Sequence, residues 1–459
     1  MRKNAKRLLA LALTGAMTLS FAGCGSKDEG EGKKNDDGEF SLTLDQIKLG
    51  EDYTDVKADL KFLTHKTDVI DTTFKDYITE FQKLYPNINI EYEGITDYAN
   101  DITTRLSTGD WGDICMIPTT VDKDDLGTYF VKLGDQSKLG ETYVKDWLNN
   151  FTYQGTTYGV PSMVNAQGIV YNKRVFEEAG VKEVPKTPDD FLAALKKIKD
   201  NKKVTAPLYT NFAADWTMNA WDAYISASTG DPDFMNSGLT KGKDPFTDRK
   251  DGTGPFAVYN LLYEAVKQGL TEEDPTTTDW EGSKPMINKG EIGCMVLGSW
   301  AFVQMRDAGD NGDDIAYMPF PITVNGKQYA SVGPDYNYGI NVNSSKDQKI
   351  AAMCYVKWLV EESGFAGGEG GLSVVQGDAL PDALSSFGDV ELLVDNPAPE
   401  GEENLFNDIN NDSELGINVS GAIPKATLEA ATQGSQNMEE LSKEWNEKWT
   451  TAQKNNGVE

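Results

Sequence analysis

The chain has 459 residues, with 73 Asp+Glu against 43 Lys+Arg, a single histidine and a formal net charge of −30. That balance argues against nucleic acid and an anionic membrane surface as partners, because both would repel it. A zinc centre of the HExxH kind is excluded by count, since it needs more than one histidine.

At the start, Arg2, Lys3, Lys6 and Arg7 precede an apolar run from Leu8 to Ala22, which stops at Gly23-Cys24-Gly25-Ser26. A basic start, a short apolar core and small residues at the cut make a secretory signal. The run is shorter than the roughly 20 residues that span a bilayer. Phe21-Ala22-Gly23-Cys24 resembles a bacterial lipobox, with Phe21 where an aliphatic residue is usual. The resemblance implies that Cys24 is lipidated and becomes the mature N-terminus; an ordinary cleaved signal is the alternative. Residues 25–39 contain no apolar side chain and read as a flexible linker. The expected organisation is a signal peptide over 1–23, a tether over 24–40 and a body on the outer face of the cell membrane. The chain beyond the tether is long enough for two globular domains.

The body begins with alternating strand and helix. An apolar strand over 60–63 leads to a helix in which Val69, Ile70, Phe74, Ile78, Phe81 and Leu84 recur at three- and four-residue steps. Pro86 forbids its continuation. Ile88, Ile90 and Tyr92 alternate as a second strand, a helix follows over 98–107, and Gly109 stops it. Ile114-Cys115-Met116-Ile117 is a third, fully apolar strand. Strands joined by helical crossovers imply a parallel sheet covered on both faces. Ligands of such sheets sit beyond the carboxyl ends of the strands. Here those ends carry His65-Lys66-Thr67-Asp68 and Pro118-Thr119-Thr120, making His65, Asp68 and Thr119 candidate ligand contacts. For His65, packing is the alternative.

A second segment repeats the pattern. A strand over 168–173 precedes a helix over 175–179 that ends at Gly180. Thr187 caps the next helix, Pro188 suits its first turn, and Asp189 and Asp190 face the positive end of its dipole. Phe191, Leu192, Leu195 and Ile198 form its buried stripe. A strand over 290–297 ends at Gly298-Ser299-Trp300, and near the end of the chain Leu441, Trp445 and Trp449 step by four along a core-facing helix. Cys115, Cys294 and Cys354 lie in apolar contexts without CxxC spacing and read as small buried hydrophobes, with one disulfide as the alternative.

Taken together, the stretches 72–92, Gly109-Asp110-Trp111-Gly112-Asp113-Ile114, 158–180 and 289–302 resemble extracellular solute-binding proteins of family 1, the maltose-binding type that feeds ABC importers. The resemblance covers roughly residues 58–450. It implies an α/β, two-lobe periplasmic-binding-protein type II fold with hinge crossovers. Lobe one is expected over 58–163 and 336–368, and lobe two over 164–335 and 369–455. Crossings are expected near 162–167, near 332–338 and in the glycine-rich stretch 364–371. That stretch lacks the Gly-Lys-Ser/Thr ending of a phosphate-cradling loop. The implied ligand is a carbohydrate, an oligosaccharide over a monosaccharide, and the implied partner is an ABC permease. No cofactor or metal is expected, and the chain is expected to be a monomer.

The resemblance also assigns site residues. Trp300 matches the family's stacking aromatic, with core packing as its alternative, and Trp216 falls where a second aromatic stands. Asn165 occupies the first crossing as a polar contact. Asp335, Tyr336 and Tyr338 form a polar and aromatic cluster in the hinge loop. Trp221 and Trp111 read as packing residues, and Asp113 as the residue that orders its turn. A non-sugar solute or an exported glycoside hydrolase, which needs two suitably spaced carboxylates, are the competing readings. No Gly-x-Ser-x-Gly elbow or Walker loop supports an enzyme.

Overall fold

The computed structural model describes residues 40–458 apart from Asp68, Asp97 and Thr119. The signal, the tether as far as residue 39 and Cys24 lie outside the described residues, as do the site candidates Asp68 and Thr119. Two separate sheets organise the body. In the first, the strands run in the order Ile88–Gly94, Ala58–Thr64, Ile114–Ile117, Asn337–Ile340, Val160–Pro161. The first three are parallel, as the sequence implies, and Asn337–Ile340 enters antiparallel from far along the chain.

The helix after the first strand starts later than its apolar spacing suggests. It spans Thr73–Phe81, while Val69 and Ile70 sit in the preceding turn, where the Phe74 N–H donates to the Val69 carbonyl at 3.0 Å. Leu84 lies beyond the helix and is exposed. The next helix, Tyr98–Thr108, buries Tyr98, Ile102 and Leu106 at four-residue steps, and Gly109 ends it in the left-handed region at φ +77°.

The second sheet is built on Val164–Asn172. Its first residues pair with Val332–Pro334, its middle pairs with Ile292–Gly298, and its end pairs with Ile315–Met318 on the other side. That first pairing extends the strand upstream of the expected 168–173. Ala206–Leu208 lies parallel to Ile292–Gly298 at the sheet edge. The strand expected to begin at residue 290 begins at Ile292, because Gly290 closes the helix Trp280–Lys289 at φ +81°. The Thr187 hydroxyl caps the helix Pro188–Asp200 as expected, accepting the Asp190 N–H at 3.2 Å. Trp221, Tyr224, Tyr259, Trp445 and Trp449 form one core with the apolar face of that helix. Cys115, Cys294 and Cys354 are free and buried.

Three chain segments join the sheets. Pro161 belongs to the first sheet and Val164 to the second, and Pro334 and Asn337 are divided in the same way. The two crossings lie side by side: the Ser162 N–H and hydroxyl donate to the Tyr336 carbonyl at 3.0 and 2.9 Å, and the Asp335 N–H donates to the Met163 carbonyl at 2.9 Å. The third segment passes through the short helix Phe365–Gly368 and lands on Val164, where Leu372 and Val164 exchange both backbone bonds.

Candidate ligand-binding site

Parallel neighbours release their chains at the same end of a sheet, so the segments that follow Ala206–Leu208 and Ile292–Gly298 meet. Trp300 opens the helix Trp300–Asp307 just after Gly298, and Trp216 opens a 3-10 turn after Ala206–Leu208. Their ring centroids are 5.7 Å apart. Trp280, the first residue of the helix that feeds Ile292–Gly298, completes the group at 5.1 Å from Trp216 and 5.7 Å from Trp300. Trp216 is 45% exposed and the other two are half-buried, so the three indoles form a wall with accessible surface. A Cβ at Gly298 would come 2.6 Å from the Trp300 Nε1, which is why a glycine ends that strand.

Trp300 lies against Trp216 and Trp280, and it also packs against a small apolar cluster of Phe74, Met163, Phe365 and Ala366. Trp280 was not foreseen, though its signal is visible: Asp279-Trp280 repeats the Asp215-Trp216 pair at the start of a helical turn. Gln304 was also missed. It stands one turn after Trp300, and its Oε1 is buried without a hydrogen-bond partner.

Beside the crossings, Asn165 is 9% exposed and its Oδ1 is likewise buried without a partner. Tyr336 is half-buried, with its ring 4.6 Å from His65 and 5.4 Å from Tyr98. Burial, and then the charge of Asp335, push the Tyr336 hydroxyl up to about 12, so it remains a neutral donor. Asp335 Oδ1 accepts the Tyr336 N–H at 2.8 Å. The structure thus brings His65, Tyr336 and Asp335 to the carboxyl end of the first strand.

Tyr338 is a correction. It is 2% exposed and meets Phe62 edge-on at 5.6 Å, because its strand is covered on both faces; it belongs to the core. The packing readings of Trp111 and Trp221 agree with their burial, at 2% and 1% exposed. Asp113 does order its turn, its carboxylate accepting the Lys61 N–H at 2.9 Å and the Ser344 hydroxyl at 2.6 Å. Among the described residues, no group of three or more His, Cys, Asp or Glu is placed to hold a metal ion.

Comparison with known proteins gives this geometry a family. Residues 66–364, more than half of the chain, match the bacterial extracellular solute-binding protein family. The chain belongs to that family. Its members work outside the cytoplasm and are binding proteins, as the absence of enzyme motifs led one to expect. A solved binding protein of an ABC transporter from Bifidobacterium animalis subsp. lactis, in complex with mannobiose, is 46% identical; the match covers 91% of this chain and 99% of that one, with a TM-score of 0.86. A manno-oligosaccharide-specific solute-binding protein of the same organism, in complex with mannotriose, matches equally well. A galactooligosaccharide-binding protein of Bacillus subtilis is 24% identical over 76% of this chain and 75% of its own. The chain spans less of other curated relatives: 60% of an uncharacterized ABC transporter binding protein of Pyrococcus horikoshii, at 26% identity, and 39% of a multiple sugar-binding protein of Streptococcus mutans, at 28%.

Proposed function

We propose that the chain is a lipid-anchored, monomeric solute-binding protein that captures a manno-oligosaccharide between two lobes and delivers it to an ABC importer. The observation that carries this is the wall of Trp216, Trp280 and Trp300, supported by the 46% identity to proteins solved with mannobiose and mannotriose. Sugar rings offer C–H faces that suit aromatic surfaces and hydroxyls that need placed polar partners. Trp216 and Trp300 supply the surface, and Asn165, Asp335, Tyr336, His65, Asp68 and Thr119 the polar partners. Lobe one comprises 58–163 and 336–368, and lobe two 164–335 and 369–455. Contacts made only in the closed form bias the lobes toward closure, and the importer reads that shape. Cys24 carries the lipid.

The test is a thermal-shift and calorimetric series with mannobiose, mannotriose, galacto-oligosaccharides, maltose and a non-sugar panel. Ligand at 100 times its dissociation constant adds about 2.7 kcal/mol of stability. Shifts confined to the mannose series, without turnover, support the proposal. Shifts only with other solutes overturn the ligand class, and consumption of the sugar overturns the binding-protein reading. Cys24→Ser should release the chain from the membrane; retention there would refute the anchor.

A further inference from the structure

We propose that Glu272 is a positioning residue, whose buried carboxylate ties the loop bearing Trp216 to the loop bearing Trp280 so that the wall is assembled before ligand arrives. This rests on reading the wall as the ligand site. Glu272 is 8% exposed, and none of the described ion pairs includes it. Both of its oxygens are engaged by one residue of the opposite loop. Oε2 accepts the Thr210 N–H at 2.9 Å, and Oε1 accepts the Thr210 hydroxyl. Two further bonds join the same two loops. The Ala213 N–H donates to the Thr278 Oγ1 at 2.8 Å, and the Asp279 N–H donates to the Tyr209 hydroxyl at 2.9 Å. Trp216, three residues after Ala213, and Trp280, directly after Asp279, meet edge to face.

Strain in the loop explains why it needs a brace. Asn211 has φ +56° and Asp215, directly before Trp216, has φ +64° with ψ −65°. Such residues persist only when their surroundings hold them. Beyond the Glu272 bonds, the Thr217 hydroxyl donates to the Asn211 carbonyl at 2.8 Å and Lys425 pairs with Asp215. A buried carboxylate without a cation is a costly way to join two loops, and an apolar contact would hold them more cheaply. What the carboxylate adds is direction. It accepts two donors from one residue and so fixes the path of the strand end. Preassembly of this kind raises affinity by reducing what binding must order.

The test uses the full-length chain with Glu272→Ala and Glu272→Gln. The first readout, taken without ligand, is the near-ultraviolet circular dichroism of the coupled indoles; the second is mannobiose affinity. Glu272→Ala should flatten the indole signal and weaken mannobiose about tenfold, by loss of preorganisation. Glu272→Gln, which keeps an acceptor for the Thr210 N–H, should restore most of both. A lowered melting temperature with indole signal and affinity unchanged would overturn the proposal, leaving Glu272 merely structural. Should Glu272→Ala fail to fold, Thr210→Val keeps the Thr210 N–H bond to Glu272, removes the hydroxyl with its bonds to Glu272 and the Phe212 N–H, and must move both readouts in the same direction. Failure of the unaltered chain to bind any sugar would strike the ligand-site reading, while the ligand-free signal would still decide the brace.

Discussion

Lys66, at the end of the first strand, and Glu369, in the third crossing, form an ion pair at 2.8 Å with side chains only 9% and 18% exposed. The Phe365 ring lies 5.9 Å from the same ammonium. The crossing is therefore clipped to the edge of the first sheet where His65 and Tyr336 meet. Glu369→Gln removes the carboxylate of this pair, and losing that charge-assisted bond should cost about 2 kcal/mol. Replacing both partners, Lys66→Met with Glu369→Leu, should recover most of it. Thermal unfolding of the three proteins checks this, and equal melting temperatures for Glu369→Gln and the unaltered chain would refute a buried pair.

Trp216 and Trp300 should respond differently to truncation. Trp216 is largely exposed, so Trp216→Ala should change stability by less than about 0.5 kcal/mol and weaken sugar binding by about 2 kcal/mol, roughly 30-fold. Trp300 also packs against Phe74, Met163 and Phe365. Trp300→Ala should therefore lose similar affinity and in addition about 3 kcal/mol of stability, with the fold retained. Calorimetric titration alongside thermal unfolding separates the two effects. Unchanged binding by Trp300→Ala would assign Trp300 to the core alone.

Asn165 offers the opposite signature. Its Oδ1 is buried without a partner, a state that costs about 1–3 kcal/mol, and the proposed ligand supplies the missing donor. Asn165→Ala should weaken binding about tenfold, equivalent to one net hydrogen bond, while the ligand-free protein becomes no less stable. A drop in the ligand-free melting temperature would mean that Asn165 serves the hinge instead.

The features legible in the sequence were those set by local chemistry. Ile114–Ile117 is an uninterrupted apolar run, Thr187-Pro188-Asp189 is a helix start, and the four-step stripe of Leu441, Trp445 and Trp449 can only be core; each stands where expected. What escaped depends on distant pairing. Val164–Ala166 is strand only because Val332–Pro334 lies beside it, and Tyr338 is core rather than cleft because Asn337–Ile340 inserts between Ile114–Ile117 and Val160–Pro161. Trp280 joins Trp216 because their loops follow neighbouring positions on a sheet edge, a relation that spacing along the chain does not carry. Glu272 was one acid among 73 until its two oxygens were seen on Thr210.

Asp222 should make stability pH-dependent in a defined window. It is buried, with Oδ1 accepting the Tyr259 hydroxyl at 2.9 Å and Oδ2 the Asn418 N–H at 3.0 Å. Burial pushes its carboxyl up to about 7, against the pull of those two donors and of Lys425. Because the folded-state value lies above the unfolded one, the folded chain holds a proton that the unfolded chain has released between about pH 4 and 7. Stability from this group is therefore greatest below pH 4 and is lost as pH rises to 7, by an amount on the order of 3 kcal/mol. Asp395, pushed up to about 6 by burial against the Ser226 hydroxyl, acts with the same sign over a narrower range. Asp222→Asn can still accept the Asn418 N–H and donate to the Tyr259 oxygen, so it should flatten much of the decline and leave the parts due to Asp395 and to Glu272, whose carboxyl burial also raises. Melting temperatures of both proteins between pH 4.5 and 8 measure this. Curves that run parallel across that range would mean that Asp222 stays ionised in the fold.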